Sequence, residues 1–115
     1  MKYLLALYSE EDTWENLTDA EKGEVFAAYG AYSAALEAAG AMLGGDPLDY
    51  SGNGARFRTS NGELAVEDGP FTDTKEQLGG YYLIEADNLD AALDWAARCP
   101  GAAHGTIEVR PVWEM

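Results

Sequence analysis

The chain is poor in cysteine, histidine and positive charge, and each shortage removes a class of protein. A single cysteine, Cys99, rules out an internal disulfide framework. One histidine, His104, beside that one cysteine makes no recognisable ligand set, so no metal is expected. There is no glycine-rich loop of Rossmann or Walker spacing, and no cofactor is expected. Bases number 7 against 21 acids, a net charge of −14. A nucleic-acid binder needs a basic stripe to neutralise phosphates. Here only Arg56 and Arg58 lie close together, while Lys2, Lys22, Lys75, Arg98 and Arg110 are scattered. Direct binding of DNA or RNA is therefore not expected, and an anionic membrane surface is disfavoured for the same reason. Long apolar runs are absent too. Tyr3 to Tyr8 is far too short to span a bilayer. No basic start with an apolar run and a cleavage site is visible, so the expectation is a cytoplasmic protein. No linker or low-complexity tract divides the chain, which reads as one domain over residues 1–115.

What is present is the pattern of a mixed α and β domain. Lys2 to Tyr8 is apolar on both faces, with Tyr3, Leu5 and Leu7 on one and Leu4, Ala6 and Tyr8 on the other, as in a central strand. Ser9 to Asn16 is polar and acidic and reads as a loop holding Trp14. Thr18 and Glu21 have the spacing of a capping box. A helix follows to about Ala39, its stripe formed by Val25, Tyr29, Tyr32, Leu36 and Ala39 and widened by Phe26 and Ala28. Gly40 supplies a left-handed stop. Ala41 to Gly45 is a brief strand. Ala55–Ser60 and Glu63–Glu67 flank Asn61-Gly62, the signal for a type I′ hairpin. The two-residue turn fixes the register, with Arg56 opposite Glu67 and Phe57 opposite Val66. Phe57, Leu64 and Val66 then share one face. Gly80 to Ala86 is a strand, Asp87 or Asn88 caps a second helix with Leu89, Ala92, Leu93 and Ala96 on one face, and Thr106 to Trp113 is the last strand. Pro111 lacks a donor and argues for a sheet edge there.

This order gives two βαβ halves with an inserted β-hairpin, an α+β domain of ferredoxin-like architecture. Its strands carry apolar residues on both faces, and helices cover only one. A second copy of the chain is the expected cover, making a homodimer in which sheet packs on sheet as a dimeric α+β barrel.

Between the hairpin and the next strand lies Asp68-Gly69-Pro70-Phe71-Thr72-Asp73-Thr74-Lys75-Glu76-Gln77-Leu78-Gly79-Gly80, a loop with more chemistry than a connector needs. Asp68 ends a strand at the mouth of the sheet, where it can act as an acid or base or fold an Asx-type turn. A helical turn starting at Asp73 would offer free amides to an anion, with Lys75 nearby; a salt bridge from Lys75 to Asp73 or Glu76 is the alternative. Arg58, opposite the small Ala65, is free to reach into a cleft, whereas Arg56 suits a cross-strand pair with Glu67. His104 is a second candidate base, in a turn where a surface role is the alternative. Cys99 sits at a helix end where the dipole disfavours a thiolate.

Asp68-Gly69-Pro70-Phe71 and Thr74-Lys75-Glu76-Gln77-Leu78-Gly79-Gly80-Tyr81-Tyr82-Leu83-Ile84 resemble the signature of the DGPF (YCII-related) proteins. Met1-Lys2-Tyr3-Leu4-Leu5, Ala96-Ala97-Arg98-Cys99-Pro100 and Ile107-Glu108-Val109-Arg110-Pro111-Val112 are similar to that family as well, so the resemblance covers essentially the whole chain. It implies a dimeric α+β barrel, kinship with small muconolactone isomerase-like enzymes, and occurrence beside extracytoplasmic-function sigma factors. Original YCII-type members are proposed to use a histidine–aspartate pair in a cleft. This sequence departs there, because His104 lies in an Ala-Ala-His-Gly turn, and only Asp68 carries over.

Two functions follow as expectations. One is a small acid–base enzyme, isomerase- or lyase-like, binding a small molecule in a cleft at the sheet or dimer interface, with Asp68 as acid or base and Arg58, Lys75 and Tyr82 positioning the ligand. The other is a non-catalytic sensing or interaction module whose partner is a sigma factor or another basic protein, which the acidic charge suits.

Overall fold

The computed structural model describes residues 1–71 and 75–114, with Ser60 described in its backbone alone. The chain runs β1 (Lys2–Ser9), α1 (Glu11–Glu15), α2 (Asp19–Ala38), β2 (Met42–Pro47), β3 (Ala55–Ser60), β4 (Glu63–Asp68), β5 (Gln77–Glu85), α3 (Leu89–Arg98) and β6 (Thr106–Pro111). Short 3-10 turns occupy Ser51–Asn53 and Pro100–Ala103.

Four strands form one antiparallel sheet in the order β2-β5-β1-β6. β1 and β2 are joined through α2 with β5 between them; β5 and β6 are joined through α3 with β1 between them. Two interleaved split βαβ units of this kind are the ferredoxin-like arrangement, and the fold is α+β as the sequence pattern implies. Pro111 does lie at the end of an edge strand, where a missing N–H removes no ladder bond from an interior position.

The capping box forms as its spacing predicts. The Glu21 N–H donates to Thr18 Oγ1 at 3.1 Å and the Thr18 N–H donates to Glu21 Oε1 at 3.0 Å. The bond from the Thr18 N–H to the ionised carboxylate, with the Thr18 hydroxyl beside it, holds the exposed Glu21 carboxyl below the usual range. At the other end Gly40 takes φ of +70°, the left-handed conformation that glycine adopts without a Cβ penalty. α2 buries Tyr32 and Leu36 against Tyr3, Leu5 and Ile84 of the two central strands. α3 adds Ala92 and Ala96, whose small side chains let that helix approach the sheet, and Cys99 closes the core behind it.

Three expectations are corrected. Ser9 to Asn16 is not all loop, because Glu11–Glu15 forms α1. Phe26 does not widen the buried stripe of α2: it stands 66% exposed, with Trp14 edge-on to its ring at a centroid distance of 5.3 Å. Leu89 and Leu93 stay largely exposed while Ala92 and Ala96 fill their helix's buried face.

All of this core lies on one side of the sheet. Register places Leu4, Ala6, Tyr8, Tyr81 and Leu83 on the other side, and none of them belongs to the core cluster. β3 and β4 make a separate two-stranded sheet in the predicted register, with Asn61 and Gly62 both at positive φ as a type I′ turn requires. Its apolar face is bare: Phe57, Leu64 and Val66 are 63%, 70% and 65% exposed. The chain measures 47 × 45 × 18 Å with a radius of gyration of 15.9 Å, above the roughly 13 Å of a compact chain of about 100 residues. The hairpin is therefore an arm projecting from a shallow two-layer body.

Candidate functional site

Three segments meet beside the base of this arm, the first far in the chain from the other two. The first is the end of β1 and the start of α1. Glu10 is the N-cap of α1, and Glu11 opens the helix. The Glu11 carboxylate accepts two hydrogen bonds from one residue, the Ser51 N–H at 2.7 Å and the Ser51 hydroxyl at 2.5 Å. Bonds to a charged acceptor are worth about 1.5–3 kcal/mol each when sheltered, which explains how a five-residue helix without an apolar stripe stays in place.

The second segment is the loop after β4. The Gly69 N–H donates to the Gly54 carbonyl at 2.9 Å, and a Cβ on Gly69 would lie 1.8 Å from the Ser51 carbonyl oxygen. Only a glycine lets the two backbones pass this closely. The Gly69–Pro70 bond is cis. Phe71 follows, half-buried, with the Arg56 guanidinium over its ring at 4.3 Å. Arg56 also pairs with Glu67 across the hairpin at 2.6 Å, the cross-strand pair that the register predicts.

The third segment runs from Lys75 into β5. Gln77 is 8% exposed, and its side-chain amide donates to the Phe71 carbonyl at 2.9 Å. Lys75 is 87% exposed and its Nζ lies 3.2 Å from Glu10 Oε1. A pair this open to water contributes at most about 1 kcal/mol, so it is easily exchanged for other partners.

Glu10, Glu11, Asp12, Pro70, Phe71, Lys75 and Gln77 line an open cavity of about 590 Å³. A neighbouring cavity of about 340 Å³ shares Phe71 and Gln77 and is otherwise walled by residues from Leu48 to Ala55 and by Leu78. Among the described residues no cluster of His, Cys, Asp or Glu is arranged to hold a metal, and no helix is long and apolar enough to cross a membrane.

Of the residues singled out in the sequence, Lys75 lines the larger cavity. Asp68 is the last residue of β4, exposed, opposite Ala55, two residues before Pro70 of the cavity wall. Arg58 lies farther out on the arm, exposed and opposite Ala65. Tyr82 is on the helix side of the sheet, its hydroxyl 3.1 Å from Ser33 Oγ and its ring edge-on to Tyr32; burial raises its pKa. His104 ends the 3-10 turn after α3 and is exposed. The structure thus brings Lys75 together with Glu10, Glu11, Asp12, Phe71 and Gln77 and leaves Arg58, Tyr82 and His104 out of the cavity wall. The helical turn expected at Asp73 and the pairing of Lys75 with Asp73 lie outside the described residues. Glu10, Glu11 and Asp12 carry one sequence signal, a run of acids straight after a central strand, in the position where a sheet ends and a cleft begins.

The chain is 52% identical over 60 residues to an uncharacterized protein of Rhizobium meliloti (strain 1021), a stretch making up 50% of this chain and 48% of that relative. The chain thus spans about half the length of the curated relative it matches. The family model of the YCII-related domain matches residues 1–115. The resemblance carried by Asp68 to Phe71 and Thr74 to Ile84 holds over the whole chain, which belongs to the YCII-related domain family.

Proposed function

We propose that the protein binds a small polar molecule in the cavity that α1 forms with Pro70, Phe71, Lys75 and Gln77. One observation carries this reading: the start of α1 meets two parts of the chain distant from it in sequence, through Glu11 with Ser51 and Glu10 with Lys75, and Gln77 bonded to Phe71 completes the wall. The volume, about 590 Å³, lies in the range of ligand sites, roughly 300–1,000 Å³. Lys75 and the three carboxylates supply groups of both signs, and Asp68 stands near in the chain as an acid or base for isomerase- or lyase-like chemistry. The test is a thermal-shift screen of small metabolites. Compounds that raise the melting temperature of the wild type should lose that effect in Phe71→Ala and Lys75→Ala. Hits that keep their full effect in both variants would place the ligand elsewhere.

We further infer that the working form is a homodimer. The bare apolar face of the arm and the helix-free face of the sheet support this, since a lone two-stranded hairpin is marginal in water and exposed apolar patches mark interaction surfaces. A second reading rests on the same bare arm: it docks a different protein, and a chain of net charge −14 suits a basic one.

A further inference from the structure

The two cavities adjoin, since Phe71 and Gln77 line both. Their outer walls are also joined, because Glu11 of the larger cavity accepts both hydrogen bonds from Ser51 of the smaller one. The two lobes differ in chemistry. The smaller presents Leu48, Tyr50 and Leu78, which are 44%, 39% and 41% exposed although they flank a concave surface. The Leu48 N–H donates to the Gly79 carbonyl at 2.9 Å, which fixes this apolar wall against β5. The larger lobe presents an ion pair, Lys75 with Glu10, at 3.2 Å and open to water, beside the further carboxylates of Glu11 and Asp12.

We propose that this two-lobed site takes a zwitterionic amino acid with a large apolar side chain. The pair Glu10–Lys75 opens to accept it: the ligand ammonium donates to the Glu10 carboxylate and the ligand carboxylate accepts from Lys75 Nζ. The apolar side chain passes the Phe71 ring and lies against Leu48, Tyr50 and Leu78. A ligand with groups of both signs replaces the pair without leaving either member unmatched. A singly charged ligand strands one of them. Since the pair is open to water and weakly held, opening it costs little. Burial of the apolar body supplies the affinity. The proposal rests on the reading of the larger cavity as a ligand site and adds the class of ligand and the role of the second lobe.

The experiment compares four probes by amide chemical-shift titration: L-phenylalanine, phenethylamine, 3-phenylpropionate and L-alanine. The expected result is that phenylalanine binds about tenfold tighter than each of the other three, about 1.4 kcal/mol. It should also perturb the Gln77 side-chain amide and Leu78 together. In Lys75→Gln phenylalanine should fall to the level of phenethylamine, and in Glu10→Gln to that of 3-phenylpropionate. Both positions are on the surface, so both variants keep the fold. Equal binding of phenylalanine and either single-charge analogue, with Gln77 still perturbed, would overturn the amino-acid class while leaving the cavity a ligand site. Perturbation of Gln77 without Leu78 would overturn the role of the second lobe. No binding by any of the four, with thermal-shift hits that depend on Phe71, would overturn the class alone. No binding and no such hits would overturn both readings.

Discussion

A Cβ placed on Gly69 would sit 1.8 Å from the carbonyl oxygen of Ser51. The glycine of Asp68-Gly69-Pro70-Phe71 is therefore where the loop after the arm crosses the 3-10 turn after β2. Gly69→Ala must push the two backbones apart, and with them the Glu11–Ser51 bonds. We expect a loss of about 2–3 kcal/mol, at the upper end of overpacking costs, read as a lower urea midpoint at unchanged slope. Gly79→Ala is the control: its Cβ would meet nothing nearer than 3.9 Å, and it should be close to neutral.

The core predicts a contrast between two leucines. Leu36 is 0% exposed in contact with the central strands, and Leu64 is 70% exposed on the arm. Leu36→Ala should cost about 2–5 kcal/mol. Leu64→Ala should leave the folding of a single chain nearly unchanged, as exposed substitutions do, within about 0.5 kcal/mol. Equal losses at both positions in urea titrations of the monomeric chain would mean that the arm is not a free-standing element.

The arm also separates what a sequence can show from what it cannot. Asn61-Gly62 specifies its turn and register through a rule that needs only neighbours, and Thr18 with Glu21 specifies the start of α2 in the same way. The alternation in β1 and β5 is equally local. By contrast, Phe26 follows the helical period and yet faces out, because Trp14, on a helix with no apolar period, takes it up as an edge-on partner. α1 itself is held by Ser51, 40 residues away. The candidate site is built from such distant pairs, Glu10 with Lys75 and Glu11 with Ser51, and neither pair has a spacing that a sequence pattern could reveal. Lys75 was legible as a charged residue in a loop rich in turn formers; its partner was not.

If the arm and the helix-free sheet face are covered by a second copy, the mass in solution depends on the arm. Light scattering at micromolar concentration should give a dimer for the wild type. Phe57→Lys with Val66→Lys places two charges on the apolar face and should give a monomer that keeps its circular dichroism. A wild-type monomer would sink the homodimer, and a dimer that survives both lysines would move the interface off the arm.

Alkaline pH should unfold this protein earlier than its acidity suggests. Burial raises the pKa of Cys99, and it does the same for Tyr29, Tyr32 and Tyr82 in the same core. Each group is neutral when protonated, so the folded state holds its proton to higher pH than the unfolded chain does. The stabilising contribution is complete below the unfolded pKa, about 8.5 for cysteine and about 10 for tyrosine. It is lost as pH rises from there through the folded pKa, because the unfolded chain ionises freely while the folded one must ionise a buried group. Urea midpoints should be flat from pH 7 to pH 8 as far as these groups are concerned and should fall above about pH 9. Cys99→Ala should remove the earliest part of that fall and leave the part above about pH 10. An unchanged onset in Cys99→Ala would assign the whole effect to the tyrosines.

The joint between Glu11 and Ser51 can be measured by a double-mutant cycle. Glu11→Gln keeps the shape but removes the charge that receives both bonds, and Ser51→Ala removes the hydroxyl while leaving the N–H in place. Glu11→Gln should therefore cost more than Ser51→Ala, about 1.5–3 against about 1 kcal/mol. The double variant should be less destabilised than the sum of the singles, by a coupling of about 0.5–3 kcal/mol. Because Glu11 walls the larger lobe and Ser51 the smaller, breaking the joint should also weaken any ligand that spans both lobes more than one confined to the larger. Full additivity would show that α1 is held by other contacts, and that the two lobes move independently.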